Sequence, residues 1–119
     1  MQLIHARLHR ILDFVTVVGL AAAPSLLGLS GFAATLAYIL ALVHLVLTLL
    51  TRFPFSERGV VPLRVHGMIE LLVGAALVVA PFALSWVGAA RTFYVAAGVV
   101  ILAVWALSAY DARIAHVAA

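Results

Sequence analysis

Residues 14–51 read FVTVVGLAAAPSLLGLSGFAATLAYILALVHLVLTLLT, and no side chain in that stretch carries a formal charge. The run is long enough for two membrane crossings, and the Pro24-Ser25 and Gly28 to Gly31 region in its middle supplies the break between them. A second such stretch follows, since Arg91 is the one charge between Glu70 and Asp111. Hydrophobic residues make up 67% of the chain and charged residues 9%, with a mean hydropathy of +1.28. A water-soluble domain of 119 residues needs more polar surface than this. In lipid every backbone polar group must be paired within the chain, so uncharged runs of this length predict membrane-spanning helices.

Four spans are expected, at about residues 11–29, 32–51, 65–86 and 92–110, in a single transmembrane domain covering 1–119. The turns within each pair are short, which makes the members of each pair antiparallel neighbours. The fold class is therefore all-α, a polytopic bundle built from two tandem hairpins. Arg7 and Arg10 before the first apolar run imitate a secretory signal, but cleavage would fall just before Pro24, and the segment reads as a retained first helix. Pro24 and Pro81 are placed to end or kink their helices.

The formal charge is +3 and there is no cysteine, so disulfides and thiolate-bound metals are out. Seven arginines scattered at helix ends do not form a nucleic-acid patch; they mark topology instead. Arg7, Arg10, Arg52, Arg58, Arg64 and Arg113 fall on one side and Arg91 on the other. The arginine-rich side is normally cytoplasmic, which places both termini inside. Arg91 is expected to snorkel to headgroups, with Trp86 and Tyr94 at the outer interface and Tyr110 at the inner one.

The two halves align at an offset of 57 residues: His9 on His66, Asp13 on Glu70, Pro24 on Pro81, Gly31 on Gly88, Thr35 on Thr92 and Leu50 on Leu107. The coincidence of rare residues argues for two repeats, about 8–54 and 65–111. Each repeat crosses the membrane twice, so the hairpins should be related by a pseudo-two-fold axis along the membrane normal.

Asp13, Gly19, Ala23-Pro24 and Gly31 in the first copy recur as Glu70, Gly74, Ala80-Pro81, Gly88 and Gly98 in the second. In this pattern the chain resembles the SPW-repeat family of small bacterial membrane proteins. The Ser-Pro-Trp tripeptide itself is replaced by Ala23-Pro24-Ser25 and Ala80-Pro81-Phe82. The resemblance implies architecture and location in a bacterial plasma membrane, and carries over no settled biochemical activity.

His9 and Asp13 are four residues apart, as are His66 and Glu70, so each pair shares a helix face. If the first and third helices are adjacent, His9, Asp13, His66 and Glu70 could converge as a metal site. His9 and His66 could alternatively ligate a haem. The structural reading ranks ahead of both: an acid in the first helical turn, favoured by the helix dipole and bonded to a histidine at the wet interface. His44 lies deeper, about 12 Å from Arg52 at 1.5 Å per residue. It could hold a haem or chlorin, relay protons, or bond to Thr16, Tyr38 or a carbonyl, and its expected depth is too different from that of His66 for the two to clamp one haem. Ala33, Ala37 and Ala41, Gly19 with Ala23, and Ala76 with Ala80 form small-residue stripes suited to helix packing.

The leading expectation is a non-enzymatic membrane protein acting through helix packing, as a homo-oligomer or an accessory subunit, in contact with the lipid bilayer and with no nucleic-acid partner. A protein binding haem, chlorin or metal through His44 or the His9/His66 level is the alternative. A small channel or carrier along the pseudo-axis comes third.

Overall fold

The computed structural model describes residues 3–56 and 58–108. Four helices make up the body: α1 (Ala6–Leu27), α2 (Gly31–Leu50), α3 (Leu63–Ala83) and α4 (Gly88–Leu107). All four are long and apolar enough to cross a membrane, and their 20 to 22 residues span about 30 Å at the helical rise. The fold is all-α, as the uncharged runs predict, and it is that of a multi-pass membrane protein. Apolar side chains such as Val18, Leu26, Leu42, Leu72 and Val79 face outward, where lipid takes the place of a core.

The helices begin and end nearer the N-terminus than hydropathy suggests. α1 starts at Ala6 and α3 at Leu63, because the polar residues of their first turns have partners inside the bundle. The expected fourth span runs past α4 to Tyr110, which lies outside the described residues, as do Glu57, Asp111 and Arg113. Pro24 and Pro81 sit inside the last turns of α1 and α3. Gly28, with φ 65°, closes α1 by donating its N–H to the Pro24 carbonyl, the left-handed cap that glycine favours.

Starts of α1 and α3 are 57 residues apart, and so are the starts and the ends of α2 and α4. The same offset governs two contacts absent from the hydropathy pattern. Thr51–Arg52 (β1) pairs in parallel with Val61–Pro62 (β2), and Ile4 bridges Ser108 in the same sense. Position 4 corresponds to 61, and 51 to 108. Each hairpin therefore ties the strand entering it to the strand leaving the other, which closes the arginine-rich end.

At the other end Tyr94 is fully buried and donates its hydroxyl to the Ala33 carbonyl at 2.6 Å. This corrects its expected place at the interface: a phenol with a buried acceptor gains more from the core than from the headgroups. Arg91 stays exposed, donates Nε–H to the Trp86 carbonyl at 3.1 Å and lies over Phe82, so it braces the α3–α4 turn. Ala33, Ala37 and Ala41 are buried as a packing stripe, whereas Gly19 and Ala76 face outward.

α3 and α4 approach at Gly74 and Gly98. A Cβ on Gly98 would stand 2.7 Å from the Gly74 carbonyl oxygen and 2.9 Å from the Val78 nitrogen. Backbone cannot yield as a side chain does, so Gly98→Ala should cost about 1–3 kcal/mol by overpacking. A lowered thermal midpoint of the detergent-solubilised protein checks this; an unchanged midpoint would mean that the helices have slack here.

Candidate metal centre

Each pair reaches across the bundle as well as along its own helix. Glu70 Oε1 lies 3.2 Å from His9 Nε2 and 3.1 Å from His66 Nε2. Asp13 Oδ1 lies 3.3 Å from His9 Nε2, and Asp13 Oδ2 lies 3.2 Å from His66 Nε2. Two imidazole nitrogens and two carboxylates thus alternate around a ring, all four residues buried. One ligand atom from each lies within 4.8 Å of the other three. The convergence of the α1 and α3 side chains, which sequence left open, is supplied by the fold.

The wet-interface reading of these pairs is overturned. His9 and Asp13 are each 2% exposed, His66 0% and Glu70 3%, and neither acid lies in the first turn of its helix. An acid eight residues into a helix gains little from the dipole at its start. What holds these carboxylates in an apolar bundle is the imidazoles facing them.

Hydroxyl groups behind the imidazoles settle which ring nitrogen faces the centre. Ser108 Oγ donates its one proton to the Val104 carbonyl at 2.5 Å and lies 2.7 Å from His9 Nδ1. Thr51 Oγ1 donates to the Leu47 carbonyl at 2.6 Å and lies 2.6 Å from His66 Nδ1. With the hydroxyl proton committed to a carbonyl, each oxygen can only accept, so Nδ1 carries the proton in both rings. Nε2 then faces the carboxylates: it donates to them when the ring is protonated, and when the ring is neutral its lone pair is free for a cation placed between them. Residues 51 and 108 are themselves 57 apart, a signal that the sequence held and the motif reading missed.

The separations of 3.1 to 3.3 Å fit the edges of a coordination polyhedron. Tetrahedral donors about 2.0–2.1 Å from zinc are separated by roughly 3.3–3.4 Å. Asp13 Oδ2, although 3.2 Å from His66 Nε2, is a buried oxygen without an aligned hydrogen bond. Such an atom is costly to leave unsatisfied, and a cation between the four residues would satisfy it. A porphyrin fits less well. The His9 and His66 ring centroids are 5.3 Å apart at 72°, and carboxylate oxygens fill the space that a macrocycle would need.

His44 joins this cluster, against the expectation that its depth sets it apart. Its Nε2 lies 3.4 Å from Asp13 Oδ1, and its ring centroid is 6.2 Å from that of His66. α2 runs antiparallel to α1, so a residue six before its end lies level with one seven after the start of α1. Thr16 bonds the Leu12 carbonyl and Tyr38 is exposed, so the neighbour that His44 finds is Asp13.

An apolar plug covers the centre at the arginine-rich end. Phe53 packs with Ala6, Leu63 and Phe55, its ring 6.4 Å from that of His9 and 6.0 Å from that of His66. Arg10 lies over Phe14, Phe53 and Phe55, and Arg7 over Phe55. Gly59, with φ 105°, lets the loop pass the Thr51 backbone where a Cβ would come within 2.7 Å, which keeps Thr51 against His66. No protein-family model, curated protein or solved structure matches this chain.

Proposed function

We propose that this chain is a membrane protein that binds one divalent transition-metal ion between α1 and α3. The observation that carries the reading is the alternating ring of His9, Asp13, His66 and Glu70, buried and with both imidazoles oriented from behind by hydroxyls. Imidazole with carboxylate suits zinc, iron or manganese, and hydrogen-bonded outer partners are how proteins orient histidine ligands. Protein purified from its own membrane in mild detergent should hold about one such ion per chain. A preparation without metal that also takes up no Co²⁺ or Zn²⁺ would sink the proposal, leaving a protonated imidazole–carboxylate quartet.

The packing reading is compatible with this one and has its own support. Gly19 on α1 and Ala76 on α3, equivalent at the 57-residue offset, are exposed small residues on outward faces. The chain would then be a non-enzymatic subunit of a homo-oligomer or larger membrane complex. A monomeric mass in mild detergent, with no crosslinked product in membranes, would count against it. The recurrence of helix bounds, strand pairs and ligands supports a tandem duplication.

Arginine placement supports a cytoplasmic location for the centre and both termini, and the SPW-repeat resemblance points to a bacterial plasma membrane. Reporter fusions at either terminus test this, an exported reporter being the contrary result.

A further inference from the structure

We infer that His44 is a third imidazole donor of the metal centre, supplied by one hairpin only. This rests on the metal reading above and goes beyond its four-residue ring. His44 Nε2 is buried, makes no hydrogen bond among the described residues, and points to Asp13 Oδ1 at 3.4 Å. That separation is close to the ring's edges of 3.1 to 3.3 Å, so a further donor stands beside Asp13, outside the four whose ligand atoms all lie within 4.8 Å of one another, and a small movement of the ring would bring it onto a shared ion. Thr48, one turn along the same helix, also buries its hydroxyl without a hydrogen-bond partner. Two orphaned polar atoms on one face of α2 fit a centre that extends toward that helix. Neutral polar groups left unpaired in apolar surroundings cost roughly 1–3 kcal/mol each by mutational measures, and ligation removes that penalty for His44.

Elsewhere the centre keeps the two-fold correspondence, and His44 breaks it. Its counterpart is Ile101, buried and apolar. Asp13 therefore faces three imidazoles, His9, His44 and His66, and the two carboxylates are not equivalent. His44 also lines a cavity of about 20 Å³ with Leu40, Leu77 and Ile101, which gives the ring room to adjust onto an ion. Three nitrogens and two carboxylates favour a first-row transition metal over magnesium or calcium, which take oxygen ligands.

The test uses the full chain in mild detergent. Pulsed EPR of the Cu²⁺-loaded wild type should register three coordinated imidazoles, and a count of two would overturn the inference without any variant. With Co²⁺, His44→Gln should lower affinity about 100-fold and alter the visible bands as a five-donor set becomes four, a loss at the upper end of what outer-sphere changes cause. His44→Gln with wild-type affinity and spectrum, while His66→Ala loses binding, would overturn the role of His44 and leave the four-residue centre standing. A wild type that takes up neither ion would overturn the metal reading itself.

Discussion

His66→Ala should abolish stoichiometric metal binding. The Nε2 of His66, like that of His9, stands between the two carboxylates, at 3.1 Å from Glu70 Oε1 and 3.2 Å from Asp13 Oδ2. Removing it deletes one donor and leaves two acids facing each other with less compensation in a buried site. Losing one imidazole of a four-donor set should cost more than the about 10–100-fold typical of losing an outer-sphere partner. Metal analysis should fall from about one ion per chain to background. Saturating Zn²⁺ should raise the wild-type thermal midpoint and leave the variant's unmoved, because a ligand stabilises only the state that binds it. His5→Ala is the control. His5 precedes the same helix as His9 but caps it, accepting from the Leu8 N–H at 3.3 Å. Its loss should cost about 1 kcal/mol of stability and no metal. Wild-type occupancy in His66→Ala would refute the centre.

Much of this centre was legible before any coordinates. The uncharged stretches fixed four helices, because lipid leaves a chain few other ways to satisfy its backbone. The four-residue spacing within His9/Asp13 and His66/Glu70, repeated at one offset, placed two equal pairs at equal depth. Their burial was not legible. An acid near an apparent helix start reads as dipole-stabilised, and the observed starts at Ala6 and Leu63 make Asp13 and Glu70 each the eighth residue of its helix. Hydropathy averaging misses such starts because His9 and Arg10 look like loop residues until their partners are known. His44 was misplaced for a related reason: depth was counted from Arg52, while its position relative to Asp13 depends on how α2 returns past α1. Tyr94 looked like an interfacial anchor because its acceptor, the Ala33 carbonyl, belongs to another helix. Two-residue strands such as β1 and β2 have no periodicity to read, so the pairing that seats Thr51 was beyond any pattern.

That seating yields the second large effect, expected from two hydroxyls that touch no ion. Thr51 and Ser108 hold His66 and His9 through Nδ1, and each has its own proton engaged by a carbonyl one turn back. Replacing either with a side chain that cannot accept a hydrogen bond frees the ring to rotate and removes the partner that keeps the proton on Nδ1. Outer partners of this kind are typically worth 10–100-fold in metal affinity. Thr51→Val and Ser108→Ala should therefore each weaken Co²⁺ binding by about that factor. Because the two rings share the centre but not their hydroxyls, the double variant should lose about 10²–10⁴-fold if the effects add. Thr51→Ser keeps the acceptor and should restore binding, which separates hydrogen bonding from packing around the Thr51 methyl group. The two single variants should also match within a few-fold, since positions 51 and 108 occupy equivalent places in the two hairpins. A Thr51→Val protein with wild-type Co²⁺ affinity would mean that the plug around Phe53 alone orients His66. A marked inequality between the single variants would locate the ion nearer one imidazole, and His44, beside Asp13, is the group that would draw it off the axis.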